Sequence, residues 1–145
     1  MSVVLHVALP VPLPHVFDYL PPAHGEARVG SRVVVPFGRG QQVGIVVAID
    51  GDSEVAGSRL KPALALPDDA PLLDAELMRT LAWAADYWLA APGEAYATAL
   101  PQALRSTRSL PALGTEYWKL SADGHQALQA GIRRGGSAAP LTALA

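Results

Sequence analysis

The triplet Phe17-Asp18-Tyr19 sets a carboxylate between two aromatic rings, with Pro10, Pro12 and Pro14 before it and Pro21-Pro22 directly after. In an extended segment, alternation sends both rings to one face and Asp18 to the other, so the triplet could form one wall of a binding pocket. The same residues also serve as two core rings and a turn-capping aspartate, which is the commoner use of these residue types. A second candidate, Gly38-Arg39-Gly40-Gln41-Gln42-Val43-Gly44, has the glycine content of a phosphate loop. It lacks the Lys-Ser/Thr that a nucleotide-phosphate loop requires and joins two strand-like runs, so it reads as a hairpin turn. Gly38 would still let a ligand approach the backbone closely.

Other reactive residues form no pattern. His6, His15, His24 and His125 lack metal-ligand spacing, and no nucleophile, histidine and acid set can be assembled around them. These histidines are expected to be solvated or internally satisfied. The chain has no cysteine, which removes thiolate metal sites, disulfides and cysteine nucleophiles within these residues. Trp83, Tyr87 and Trp88 could stack on bases, but aromatic residues at helical spacing are expected in the core. No enzyme activity is expected of this stretch.

The elements that must position these groups follow from local pattern. Val3 to Leu9 reads as a strand, and each residue before a proline between Pro10 and Pro14 is pushed out of the helical region. Phe17 to Leu20 is then a loop or short strand. Arg32 to Phe37 and Gln42 to Ile49, joined by a glycine turn, form a hairpin, in which Gly44 suggests a bulge or close backbone approach that helps close a small barrel. Leu60 to Leu66 adds an edge strand, since Pro62 is poorly tolerated in a sheet centre. Beyond Pro71 the period changes: Leu77, Leu81, Ala84 or Ala85, and Trp88 share a helical face over about residues 75–90, with Asp74 as N-cap. Pro92-Gly93 stops this helix, Glu94 to Leu100 forms a short second one, and residues 101–115 read as a linker. Residues 116–120 suggest a short strand and 121–128 a capped helix, too little to close a core alone.

A chain of 145 residues, half of them apolar, can bury one modest core with a small unit attached. The apolar amino terminus lacks a basic region and is broken by prolines, so no signal peptide is expected. No apolar run approaches the roughly 20 residues of a membrane-spanning helix. A net charge of −2 argues against coating long stretches of nucleic acid, so any DNA contact should be local. Acidic side chains dominate residues 61–100, and basic ones dominate after residue 101.

Several ordered motifs together resemble one family. They are His6 through Pro14, Phe17-Asp18-Tyr19, Arg32-Val33 through Val35-Pro36-Phe37-Gly38, Gly44-Ile45-Val46 and Leu60-Lys61. Trp83-Ala84-Ala85-Asp86-Tyr87-Trp88, Pro92-Gly93-Glu94 and Ala99-Leu100-Pro101 follow. Over residues 3 to about 105 the chain is similar to the amino terminus of the primosomal replication-restart helicases, the PriA family. The resemblance implies an α+β fold: a small β-barrel-like 3′ DNA-end-binding domain with a helical C-terminal segment over residues 1–105. Residues 106–145 would hold a linker and the truncated start of a winged-helix domain. It also implies an end-binding pocket made by Phe17, Asp18, Tyr19, Gly38 and Lys61.

The chemistry of those residues suits that role. A free 3′-hydroxyl can donate to the Asp18 carboxylate, whereas a 3′-phosphate would meet it with like charge. The partners implied are the 3′ end of single-stranded DNA and branched fork DNA, together with single-stranded DNA-binding protein and other primosome proteins. No cofactor is expected in this stretch; ATP, magnesium and zinc would belong to the remainder of a longer helicase. The expected location is the cytoplasm, at the nucleoid, without membrane attachment. The competing class is a small barrel that docks replication partners through a strand edge or hydrophobic groove.

Overall fold

The computed structural model describes residues 3–53, 55–109 and 119–129. The chain forms two units, residues 1–111 and 112–145. The first is built on a five-stranded sheet of strands β1 (Val4–Ala8), β2 (Phe17–Leu20), β3 (Arg32–Phe37), β4 (Gly40–Asp50) and β5 (Lys61–Pro62). Their order in the sheet is β3-β4-β1-β2-β5, with every pairing antiparallel except that of β2 with β5. The two ends of this order meet: the Val34 amide donates to the Ala65 carbonyl at 2.9 Å, and the Leu64 amide donates to the Val34 carbonyl at 2.8 Å. The sheet is therefore curled into a small barrel-like form. The segment expected as an edge strand, Leu60 to Leu66, is only two residues long as a strand and supplies this seam.

Two features of sequence make the curl possible. The register of β1 on β4 shifts between His6 and Val7, a bulge that adds local bend and twist. Gly44 lies where β1 presses closest, since a Cβ there would stand 2.5 Å from Val7 Cγ1 and 2.8 Å from the Ala8 carbonyl oxygen. The β3–β4 hairpin closes on two residues, Gly38 and Arg39, between the paired Phe37 and Gly40. Gly38 has φ +58° at the first central position, the place where a type II′ turn takes glycine.

Both faces of the sheet carry buried side chains. Leu5, Val7, Leu9, Tyr19, Val33, Val35, Val46 and Ala63 fill the inner cluster. Ala8 and Ile45 turn outward to pack with Leu73, Met78, Tyr96 and Leu100 of the helical layer. That layer comprises α1 (Ala75–Trp88) and α2 (Pro92–Ala99). Asp74 caps α1 as expected, accepting from the Leu77 amide at 2.8 Å. Leu89 ends it in the left-handed conformation, and Pro92-Gly93, expected to be a breaker alone, forms the first turn of α2, where proline is well tolerated.

The aromatic residues of α1 correct the expectation drawn from their spacing. Trp83, Tyr87 and Trp88 are 62, 64 and 73 % exposed, not core. Trp83 and Tyr87 stack on each other with ring centroids 5.1 Å apart. The helix buries a narrow stripe instead, Met78 and Ala85 with Leu81 partly covered, while Leu77 faces outward. A helix lying on one thin layer covers only one stripe, and among the described residues no further layer covers its aromatic side.

The segment after α2 is tied to the sheet by one buried residue. Arg32 is fully buried at the start of β3, and its guanidinium makes five hydrogen bonds. Nε and Nη2 donate to the two oxygens of Asp68 at 2.7 Å each. Nη1 donates to the Leu104 and Ser106 carbonyls, and Nη2 to the Arg108 carbonyl. These use the five N–H donors of an arginine. The stretch expected as a linker from residue 101 is thus an ordered strap at least as far as Arg108, including a 3₁₀ turn at Gln102–Arg105.

In the second unit one helix is described, α3 (Ala122–Gln129), with Ser121 Oγ accepting from the Gly124 amide at 3.1 Å. Residues 116–118 of the expected strand, and Gly131, Gly135 and Gly136 beyond the helix, lie outside the described residues. Among the described residues no helix is long and apolar enough to cross a membrane.

Candidate nucleic-acid interface

The five residues singled out in the sequence, Phe17, Asp18, Tyr19, Gly38 and Lys61, all line one cavity of 1120 Å³. It exceeds the roughly 300–1,000 Å³ of ordinary small-molecule pockets. Three separate parts of the sheet bring them together. Strand β2 carries the triplet, the β3–β4 turn carries Gly38, and β5 lays Lys61 beside Tyr19 in parallel register.

Alternation along β2 works as expected. Phe17 and Tyr19 pair with Val7 and Leu5 and join the inner cluster, while Asp18 takes the opposite face beside His6. Tyr19 is buried, and its hydroxyl donates to the Pro36 carbonyl at 3.1 Å, so its ring is wall and its polar tip is already engaged. Burial raises the pKa of that phenol. Phe17 meets Phe37 edge to face at 5.3 Å and His15 in a tilted contact at 4.9 Å, which makes an aromatic row at the cavity. Gly38 is exposed, and a Cβ there would meet nothing within 4 Å, so backbone conformation, not crowding, calls for glycine.

Asp18 does not stand alone. Its Oδ1 lies 2.8 Å from His6 Nδ1, and its Oδ2 accepts from the Ser53 hydroxyl at 2.5 Å. The other imidazole nitrogen of His6, Nε2, is 3.0 Å from Asp50 Oδ1. Side chains of His6 and Asp18 are 17 and 12 % exposed, and that of Asp50 is 53 % exposed. The hydrogen bond with Asp50 raises the His6 pKa most, burial opposes it, and Asp18 adds a further upward push. The Asp50 carboxyl is held below its ordinary value by His6 and by the Asp52 amide. The cavity is also lined by Arg59, which adds a second cation to the one carried by Lys61.

His6, His15, Phe37, Asp50, Ser53 and Arg59 were not singled out as site residues by sequence reasoning. A signal for His6 existed, because period-two alternation puts it across from Asp18 once β1 and β2 are paired. Asp50 and Ser53 carried none, since they reach the site only through the long-range pairing of β1 with β4.

Residues 6–101 match the model of the PriA 3′DNA-binding domain (3′BD). The chain belongs to this family. It is 38 % identical over 128 residues to the replication restart protein PriA of Haemophilus influenzae, covering 88 % of this chain and 18 % of that protein. The PriA of Bacillus subtilis is 37 % identical over 92 residues, covering 62 % of this chain and 11 % of that protein. A more distant PriA, from Buchnera aphidicola, is 24 % identical over 124 residues, covering 86 % of this chain and 17 % of that protein. The chain thus spans less than a fifth of the length of these PriA relatives. The matched span holds the complete cavity lining, from His6 to Pro92.

Proposed function

We propose that the cavity captures the terminal nucleotide of a DNA strand bearing a free 3′-hydroxyl, and that this chain is the targeting module of a replication-restart helicase. The observation that carries the reading is the convergence of Phe17, Asp18, Gly38 and Lys61 on one cavity within a PriA 3′DNA-binding domain. The terminal hydroxyl donates to Asp18, where an internal or terminal 3′-phosphate would bring like charge. Phe17 and Phe37 offer a ring surface that accepts any base by stacking, and the open backbone at Gly38 allows close approach. Lys61 and Arg59 offset the nearest phosphates. One captured end needs few cations, which suits a chain of net charge −2.

The wider assignments rest on the same family membership. The DNA partners are a single-stranded 3′ end and the branched fork that presents it. ATP, magnesium and zinc belong to the rest of a longer helicase, as do unwinding and ATP hydrolysis. A second reading, docking of a replication protein, draws on the exposed Trp83, Tyr87 and Trp88 face of α1. Alanine at Trp83 and Tyr87 would leave end binding unchanged if the two roles are separate.

The test is fluorescence anisotropy with matched oligonucleotides ending in 3′-hydroxyl or 3′-phosphate. A hydrogen bond to a charged acceptor contributes roughly 1.5–3 kcal/mol, so Asp18→Ala weakens hydroxyl-end binding about 10- to 100-fold and changes phosphate-end binding far less. Asp18→Asn keeps an acceptor and loses the repulsion, so it reduces discrimination more than affinity. Equal binding of both ends by the unaltered chain defeats the proposal.

A further inference from the structure

His6 touches both Asp18 and Asp50 at the cavity, and end capture by Asp18 does not by itself call for it. Strand pairing sets it there. His6 lies opposite Asp18 on β2 and opposite Ala48 on β4, and Asp50 is the next residue of β4 on the Ala48 face. A row of three side chains, Asp18, His6 and Asp50, therefore crosses three adjacent strands.

The distances decide the protonation state. A neutral imidazole has one N–H and one bare nitrogen, and an ionised carboxylate only accepts. With one nitrogen 2.8 Å and the other 3.0 Å from carboxylate oxygens, two ionised carboxylates are both satisfied only by a ring that donates from both nitrogens, an imidazolium. Asp18 is then gripped from both sides, by His6 on Oδ1 and by the Ser53 hydroxyl on Oδ2. A carboxylate has about four acceptor positions. The grip uses two of them, fixes the plane of the group, and leaves the others for an incoming hydroxyl.

We propose that His6 is a positioning residue for 3′-end recognition: in its protonated form it clamps Asp18 in the orientation that receives the terminal hydroxyl. The inference rests on the end-capture reading above and deepens it. Loss of the His6 proton acts in two ways with one sign. One of the two nitrogens loses its donor, so either Asp18 is released or its bond becomes a weaker neutral one. The Asp18, His6 and Asp50 row also gains a full negative charge beside the incoming DNA phosphates.

The groups facing His6 are Asp18 from β2 and Asp50 from β4, and the cavity around them also contains His15, Asp52, Arg59 and Lys61. Of these only His15 carries a second imidazole. Its contribution persists when His6 is replaced, so a difference between variants isolates His6. Asp50 is the sharper handle. It raises the His6 pKa most, it is half exposed, and its replacement leaves the Asp18 contacts in place.

The experiment measures the affinity of the full chain for hydroxyl-ended and phosphate-ended oligonucleotides from about pH 5.5 to 9, the span in which imidazoles titrate. Unaltered protein, His6→Gln and Asp50→Asn are compared, and the His6 ring is followed by NMR. Hydroxyl-end affinity of the unaltered chain falls about two- to tenfold as pH rises, the effect of weakening one hydrogen bond. The midpoint coincides with the His6 titration, moves to lower pH in Asp50→Asn, and is lost in His6→Gln. A chain that discriminates the two ends with a flat pH profile overturns the clamp and leaves end capture standing. So does a profile that neither variant alters. Equal binding of both ends at every pH overturns end capture and the clamp together.

Discussion

Replacing Arg32 with methionine, which keeps most of the side-chain volume, should be the most damaging single change outside the cavity. The guanidinium is fully buried, holds Asp68 through two 2.7 Å bonds, and donates to three carbonyls of the strap over residues 104–108. Removing one partner of a buried ion pair costs about 3–5 kcal/mol, because the remaining charge keeps its desolvation penalty without its counterion. Against the roughly 5–15 kcal/mol that holds a small domain together, that is a large share. At about 4–8 °C per kcal/mol, the melting temperature should fall by about 12 °C or more. Thermal unfolding and urea denaturation, both followed by circular dichroism, measure the fall in melting temperature and in free energy. A cycle with a truncation after Arg105 tests the mechanism, since that truncation removes the Ser106 and Arg108 acceptors. It should destabilise the unaltered chain and be nearly silent in Arg32→Met, with a coupling of about 1–3 kcal/mol. If Arg32→Met lies within about 0.5 kcal/mol of the unaltered chain, as an ordinary surface change would, the account of Arg32 as the anchor of the strap is refuted.

Three further outcomes are expected. Gly93→Ala places a Cβ 1.5 Å from the Leu9 carbonyl oxygen, so α2 must shift off β1; a loss of about 1–3 kcal/mol or more should appear in the urea midpoint. Trp83→Ala, at an exposed and self-stacked position, should change stability by less than about 1.5 kcal/mol, well short of the 3–5 kcal/mol of a core tryptophan. Stability should also depend on His6. A pKa raised on folding means a proton held more tightly in the folded state, so the contribution is complete below the unfolded value of 6.5 and is lost as pH climbs through the higher folded value. Melting temperatures above pH 6.5 should therefore decline more steeply for the unaltered chain than for His6→Gln.

What could be read from sequence was what is local in sequence. The β3–β4 hairpin, the Asp74 cap and the two helices depend on residues within a few positions of one another, and they stand close to where pattern put them. The cavity residues were legible because the family resemblance names them; alternation alone left Phe17 and Tyr19 open between core and wall, and Tyr19 turns out to be buried wall. Sequence places Arg32 only as the first residue of a strand, because its partners lie from 36 to 76 residues away. His6 and Asp50 are 44 residues apart and become neighbours only through the β1–β4 pairing. The error over Trp83, Tyr87 and Trp88 has a different origin. Periodicity reveals that a helix has an apolar side, but the depth of the layers around it decides how much of that side is covered.

The strand order carries a consequence for how the molecule comes to exist. Two pieces of the sheet, β1 with β2 and β3 with β4, can form early from neighbouring sequence. The β1–β4 junction and the Val34–Ala65 seam must wait for distant chain segments to meet, and such non-local closures set the slow rate in folding. The cavity takes its wall from β2, its glycine from the β3–β4 turn and its lysine from β5, so neither early piece contains it whole. A nascent or partly unfolded copy would expose strands while lacking the cavity proposed to hold a DNA end. Recovery of end binding during refolding should consequently lag behind recovery of β-structure, and a bound oligonucleotide should slow the reopening of the seam it depends on.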